Sequence, residues 1–203
     1  MKVVRKYAKD PFVLAFAIGA LTLTVLPFLQ RLMLTAPEPL AELPAFGLAP
    51  IEGGGTVGSE DLLGKVWIAS FVASPCDQPC RELLASFGRA AGHLDDLKGQ
   101  VELVSFVPPD SVEVAKELSK TRSPAWRLLV GAFDGSPLWQ AFSTAWSAQT
   151  KVPGAGRGAF LAQATLAVVD QGGAVRGFWP ANEQGRGHAI NAARMFARRG
   201  AEP

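Results

Sequence analysis

The sequence contains few of the residues that build cysteine-rich or metal-rich folds. Its 203 residues include only two cysteines and two histidines. A framework of several disulfides is therefore excluded, and a structural zinc site, which takes four Cys or His ligands, is disfavoured. The 21 glycines are aperiodic and 48% of the residues are hydrophobic, which excludes collagen-like and disordered chains. An apolar chain of this length can bury one core and carry short appendages.

Positive charge is concentrated at the start of the chain, although the formal net charge is only +2. The head has a local charge of +3, from Lys2, Arg5, Lys6 and Lys9 against Asp10. Beyond residue 31 the chain has 15 Lys and Arg against 17 Asp and Glu, a net charge of −2. Nucleic-acid binding needs basic residues on the folded part of a chain, where they neutralise phosphates. The charge distribution therefore excludes a nucleic-acid partner.

An apolar run follows the basic head. Residues 11–30 contain no charged residue, and twenty helical residues reach about 30 Å, the thickness of a bilayer hydrocarbon core. We expect one transmembrane helix over residues 11–34, with residues 1–10 in the cytoplasm. The remainder then lies in the periplasm of a bacterium, anchored to its inner membrane. A cleaved signal peptide is the alternative, although its apolar region is usually shorter, about 7–15 residues.

A proline-rich stretch, residues 35–45, predicts a stiff spacer before a single domain over residues 46–203. Within the domain, residues 46–57 suggest a small hairpin or loop. After it, short runs of consecutive apolar residues, typical of buried strands, alternate with segments whose apolar residues recur at helical spacing. Strands are predicted at 66–72, 101–107, 126–130, 164–169 and 174–179, and helices at 79–98, 111–120, 137–146 and 187–199. This order predicts an α/β fold, a mixed central sheet flanked by helices.

The two cysteines lie together, directly after the first central strand and at the start of the first long helix. Cys76 and Cys80 are four residues apart, within reach of a disulfide or a shared metal ion. Free N–H groups at a helix start favour the thiolate form, and the strand ends of α/β sheets collect reactive groups. A purely structural disulfide is the alternative, but so small a ring stabilises little. The spacing therefore favours a redox or metal role.

Several segments together resemble the SCO/SenC family. The matching segments are residues 64–71, the CxxxC of Cys76 and Cys80, and residues 104–106, 126–131, 166–170 and 176–179. The resemblance covers about residues 46–199 and implies a membrane-anchored, thioredoxin-like protein. Such proteins handle copper and thiols while the dinuclear copper centre of cytochrome c oxidase is assembled. It implies that Cys76 and Cys80 hold copper and that an oxidase subunit or another copper or thiol protein is the partner.

The chain departs from the family pattern at the proposed site. The family's copper-binding histidine falls on Ala162, eight residues before Asp170, so the third ligand is not identified. His93 lies on the polar face of a predicted helix and His188 at a predicted helix start, where both are expected in solvent. The Asp-Pro step that follows the second strand in the family is replaced by Pro108-Pro109-Asp110. Two thiolates can still hold Cu(I), whereas Cu(II) prefers additional nitrogen ligands.

Three functions follow from these observations. The first is copper delivery, thiol reduction or both during assembly of a respiratory oxidase copper centre, which is the role of an assembly factor more than of an enzyme. The second is a membrane-tethered thiol–disulfide oxidoreductase without stable copper binding, in which Cys76 attacks and Cys80 resolves the mixed disulfide. The third is a non-catalytic structural partner of a respiratory complex. The missing histidine favours the second function, and the CxxxC spacing with the family resemblance favours the first.

Overall fold

The computed structural model describes residues 12, 15–16, 19–25, 38–97, 99–120, 126–131, 135–151, 160–161 and 165–199. These belong to two units, divided after Pro37. In the first unit the described residues are helical, and Phe12, Phe16, Leu21 and Leu23 expose most of their side chains. No described helix combines the length and the apolar character needed to cross a bilayer. Most of the predicted anchor over residues 11–34 lies outside the described residues and stays a prediction.

The second unit is built on an eight-stranded mixed sheet. The strands are β1 (Ala41–Glu42), β2 (Gly47–Pro50), β3 (Val57–Gly58), β4 (Val66–Phe71), β5 (Val101–Val107), β6 (Trp126–Val130), β7 (Thr165–Val169) and β8 (Ala174–Pro180). Their order across the sheet is β1-β8-β7-β4-β5-β6-β2-β3. The central strands β4, β5 and β6 run parallel, and all other neighbours are antiparallel. Every residue of β4 and β5 is buried, as their nearly continuous apolar sequences require.

Helices cover both faces of the sheet. They are α1 (Ser59–Leu62), α2 (Gln78–Gly92), α3 (Val112–Leu118), α4 (Pro137–Thr150) and α5 (Glu183–Arg199), with 3-10 turns at Asp95–Leu97 and Pro109–Ser111. Alternation along β4 directs Trp67 and Phe71 to the face that α4 covers. There the Phe71 ring lies 4.9 Å from the rings of Phe142 and Phe160. This aromatic cluster fills the core beneath the carboxyl end of β4.

The opposite face carries a small buried polar network. Ser70 and Ser105 pair through their hydroxyls at 2.6 Å, and the indole N–H of Trp126 donates to Ser105 at 2.9 Å. Helix α2 packs over the same place, with the Phe87 and Trp126 rings 5.7 Å apart. The network links β4, β5 and β6, and its hydrogen bonds offset the cost of burying these polar groups.

The predicted mixed α/β fold is confirmed, with shifts at several element ends. Helix α2 ends at Gly92 instead of extending to residue 98, and α4 continues to Thr150, beyond the predicted residue 146. Helix α5 begins at Glu183, four residues before the predicted start. The side chain of Asn182 explains this start because its oxygen accepts from the N–H of Gly185 at 2.8 Å.

Part of the predicted spacer lies in the sheet. Strand β1 falls within residues 35–45 and pairs with β8 at Ala41 and Val175. The N–H of Leu40 donates to the carbonyl of Val175 at 2.8 Å, and the N–H of Leu43 to that of Gly173 at 3.1 Å. The neighbouring prolines are compatible with this because an edge strand needs only alternate N–H groups for pairing.

Candidate redox site

The two cysteines form a disulfide where β4 leads into α2. Their sulfurs are 2.01 Å apart and their Cα atoms 5.2 Å apart. Cys76 lies in the loop before the helix and is half-buried, whereas Cys80 lies in the first turn of α2 and is 3% exposed. The carboxyl ends of the parallel strands β4 and β5 meet at this edge of the sheet. The disulfide therefore joins a partly exposed residue to a buried one.

The start of α2 is fixed by the residues between the cysteines. Asp77 is the N-cap, and its carboxylate accepts from the N–H of Cys80 at 3.3 Å. Pro79 occupies the first turn, where backbone N–H groups have no partner within the helix, so the N–H that proline lacks is not needed. Leu83 and Leu84 bury the helix against the core one turn later. Cys80 is consequently held by both backbone and packing.

The segment before the helix, residues 73–76, is here called the cysteine loop. The last sheet bond before it joins the N–H of Val72 to the carbonyl of Phe106 at 2.9 Å. The hydroxyl of Ser111 donates to the carbonyl of Ala73 at 3.1 Å. The hydroxyl of Ser74 donates to the carboxylate of Asp110. The loop is thus tied to the 3-10 turn that follows β5.

The structure bonds the two predicted cysteines to each other. It also places Asp110 next to the cysteine loop, in the segment where the sequence differs from the family pattern. Asp110, from the segment that replaces the family's Asp-Pro step, contacts the cysteine loop through Ser74. Ser74 and Ser111 were not singled out from the sequence, and serines at strand ends carry no signal that would have identified them. Their role depends on a contact between positions 36 or more residues apart.

A third copper ligand is not found among the residues that the structure describes. Position 162, where the family histidine would fall, lies outside them. His93 and His188 are both exposed, as expected from the sequence. His188 lies inside α5 and not at its start, because that helix begins earlier than predicted. Within the described part of the chain no group of three His, Cys, Asp or Glu side chains has the geometry to hold a metal ion.

No protein-family profile matches the sequence. No curated protein matches it either.

Solved structures do match the fold. BsSco is 21% identical in sequence to this chain. Its structure is described as identifying a disulfide switch in a member of the Sco family of cytochrome c oxidase assembly proteins. The match covers 80% of this chain and 97% of that one, with a TM-score of 0.58. Yeast Sco1 with copper bound is 18% identical over 79% of this chain and 94% of that one, with a TM-score of 0.55.

A thiol:disulfide interchange protein of the thioredoxin family from Chlorobium tepidum matches to a similar degree. It is 18% identical, the match covers 80% of this chain and 99% of that chain, and the TM-score is 0.54. At these identities the comparisons establish the fold. The predicted thioredoxin-like fold, of the kind found in Sco-family proteins, is confirmed.

Proposed function

We propose that this protein exchanges thiols and disulfides through Cys76 and Cys80, and that the reduced pair carries Cu(I) during assembly of a respiratory oxidase copper centre. The observation that carries the proposal is the disulfide itself. The only two cysteines of the chain are bonded at a strand-to-helix junction, with Cys76 half-buried and Cys80 nearly inaccessible. This asymmetry distinguishes an attacking sulfur from a resolving one.

The exchange runs in two steps. The Cys76 thiolate attacks one sulfur of a client disulfide, so a mixed disulfide forms and the client's other sulfur leaves as a thiolate. Cys80 then attacks the sulfur of Cys76, and the second client sulfur leaves. Two electrons pass from the cysteine pair to the client, which becomes a dithiol, while Cys76 and Cys80 become the disulfide. A thiol reductant in the same compartment must restore the pair before another round.

Replacement of each cysteine in turn tests this division of roles. Cys80→Ser in the full-length chain should form a stable mixed disulfide with oxidised glutathione, because the resolving sulfur is gone. Cys76→Ser should react at least about tenfold more slowly, because the remaining thiol is buried. Mass spectrometry after timed quenching measures both adducts. Equal rates for the two variants would overturn the assignment of Cys76 as the attacking residue.

Copper enters the proposal as cargo, and the donor set decides which oxidation state fits. The two thiolates match Cu(I), a soft ion that accepts sulfur ligands. Cu(II) prefers additional nitrogen ligands, and the sequence has Ala162 where the family supplies an imidazole. The likeness to a copper-bound yeast Sco1 structure supports copper handling, and the likeness to an interchange protein supports thiol exchange. The two activities are compatible, because the cysteines of a copper site must be reduced before the site can receive Cu(I).

Anaerobic titration of the reduced full-length chain tests the copper assignment. We expect one Cu(I) per chain in competition with a chromogenic Cu(I) chelator, and no stoichiometric Cu(II) complex by absorption or electron paramagnetic resonance. Cys80→Ser should abolish the Cu(I) binding. The control is Ser119→Ala, which removes a hydroxyl bonded to the carbonyl of Lys116 at the end of α3 and leaves both sulfurs in place. Tight binding of one Cu(II), or stoichiometric Cu(I) binding by Cys80→Ser, would contradict the proposed ligand set.

A further inference from the structure

We propose that Ser74 and Asp110 are positioning residues that hold Cys76 beside Cys80, so that their contact sets how stable the disulfide is. Together with the bond from Ser111 to Ala73, this contact ties the cysteine loop to the 3-10 turn after β5. The inference rests on the proposed thiol–disulfide exchange and assigns residues that control it.

Of the two sulfurs, that of Cys76 is the one free to move. Cys80 belongs to α2, which is buried through Leu83, Leu84 and Phe87, and its N–H is held by Asp77. Once the disulfide is reduced, the distance between the sulfurs is therefore controlled by the cysteine loop. That loop begins after the sheet bond of Val72 and ends where the helix begins.

The 3-10 turn offers the loop a rigid support. The turn is closed by the N–H of Ser111, which donates to the carbonyl of Pro108 at 3.0 Å, and Ser111 is 2% exposed. Between described residues, the Ser111 and Asp110 contacts are the hydrogen bonds that join the cysteine loop to another element. Ser111 holds the first residue of the loop. The Ser74 contact lies nearer to Cys76, two residues before it, and involves a carboxylate, a stronger acceptor than a neutral group.

Loss of this contact should weaken the disulfide relative to the dithiol. Two thiols held close together form a disulfide more readily because their effective concentration is high. If the loop is released, Cys76 samples positions away from Cys80, and the equilibrium shifts toward the reduced pair. The structural support for the sulfurs thus comes from β5's end, outside the segment that carries the cysteines.

Equilibration of the full-length chain with glutathione redox buffers measures this effect. Ser74→Ala and Asp110→Ala should each lower the ratio of disulfide to dithiol by about threefold to tenfold, a rise of about 14 to 30 mV in reduction potential. Because both changes break one contact, the double variant should shift no further than either single variant. Asp110→Asn keeps an acceptor for the Ser74 hydroxyl, although a weaker neutral one, and should therefore shift the ratio less than Asp110→Ala does.

Glu113→Ala is the matched control, since it removes another exposed carboxylate from the adjacent helix, where Glu113 pairs with Lys116. It should leave the ratio unchanged, and its oxidised form should unfold at the wild-type temperature. A wild-type ratio in Ser74→Ala, additive effects in the double variant, or an Asp110→Asn shift equal to that of Asp110→Ala would overturn the inference. If the wild type itself reaches no two-electron equilibrium with glutathione, it is the proposed thiol exchange that fails.

Discussion

Two glycines in the first turns of α5 differ in the space around them. A Cβ atom at Gly185 would overlap the carbonyl oxygen of Pro180 and lie 2.9 Å from two of its ring carbons, whereas a Cβ at Gly187 would meet nothing within 4 Å. The N–H of Gly185 also donates to Asn182. Gly185 is therefore required by the close approach of the helix to the end of β8, and Gly187 is not.

We predict opposite effects when each of these glycines is replaced by alanine. Gly185→Ala should lower the free energy of unfolding by about 1–3 kcal/mol, because the helix start must move away from Pro180. Gly187→Ala should raise it by about 0.5–1 kcal/mol, since alanine favours a helix over glycine. Denaturant unfolding of both variants measures the difference. A Gly185→Ala variant as stable as Gly187→Ala would contradict the close approach.

Single residues also mark the limit of what the sequence predicts at the site. The cysteine pair and its place before a helix could be inferred, because spacing and the neighbouring strand are local features. The contact between Ser74 and Asp110 could not, because it depends on two parallel strands ending side by side. The position of the 3-10 turn relative to the loop is a tertiary property without a local signal.

At the scale of elements, the central strands and main helices were predictable because their apolar periods are strong. The end of α4 and the start of α5 were less predictable from the sequence pattern. Helix α4 ends at Thr150, and the next residue, Lys151, has a left-handed conformation that glycine adopts more often. Helix α5 starts after Asn182, four residues before the start that the sequence predicts. A specific hydrogen bond accompanies each end: the N–H of Lys151 donates to the carbonyl of Ser147 at 3.0 Å, and the side chain of Asn182 accepts from the N–H of Gly185.

The outer edge of β8 is covered by β1 and by a side chain of α4, an arrangement that the local sequence does not predict. Strand β1 pairs with one part of this edge, and the side chain of Gln149 from α4 occupies another. The Gln149 amide donates to the carbonyl of Phe178 and accepts from its N–H, both at 2.7 Å. One side chain thereby satisfies two backbone groups that a neighbouring strand would otherwise take.

For the whole molecule, we propose that residues 11–34 anchor the protein in the bacterial inner membrane with the cysteine site in the periplasm. The basic head, the charge-free run after it and the exposed side chains of Leu21 and Leu23 support this proposal. A periplasmic location also suits a disulfide, which persists in oxidising compartments.

A C-terminal alkaline phosphatase fusion to the full-length chain tests the topology. We expect phosphatase activity, and recovery of an intact chain in membranes after alkaline extraction. Replacement of both Leu21 and Leu23 by lysine should release the protein from the membrane, because charges in the centre of a spanning helix cost about 2.5–3.5 kcal/mol each. An active fusion that is soluble and lacks residues 1–34 would show a cleaved signal peptide instead.

Strand β1 enters the sheet at the end where β4 begins, since Ala41 pairs with Val175, Val175 with Val169, and Val169 with Trp67. The cysteine loop follows the other end of β4, a strand of six residues and so about 20 Å long. Strand β1 and the cysteine loop thus lie at opposite ends of the central strand β4. Substitutions in residues 38–40, which lead into β1, are therefore expected to leave the reactivity of the cysteine loop unchanged.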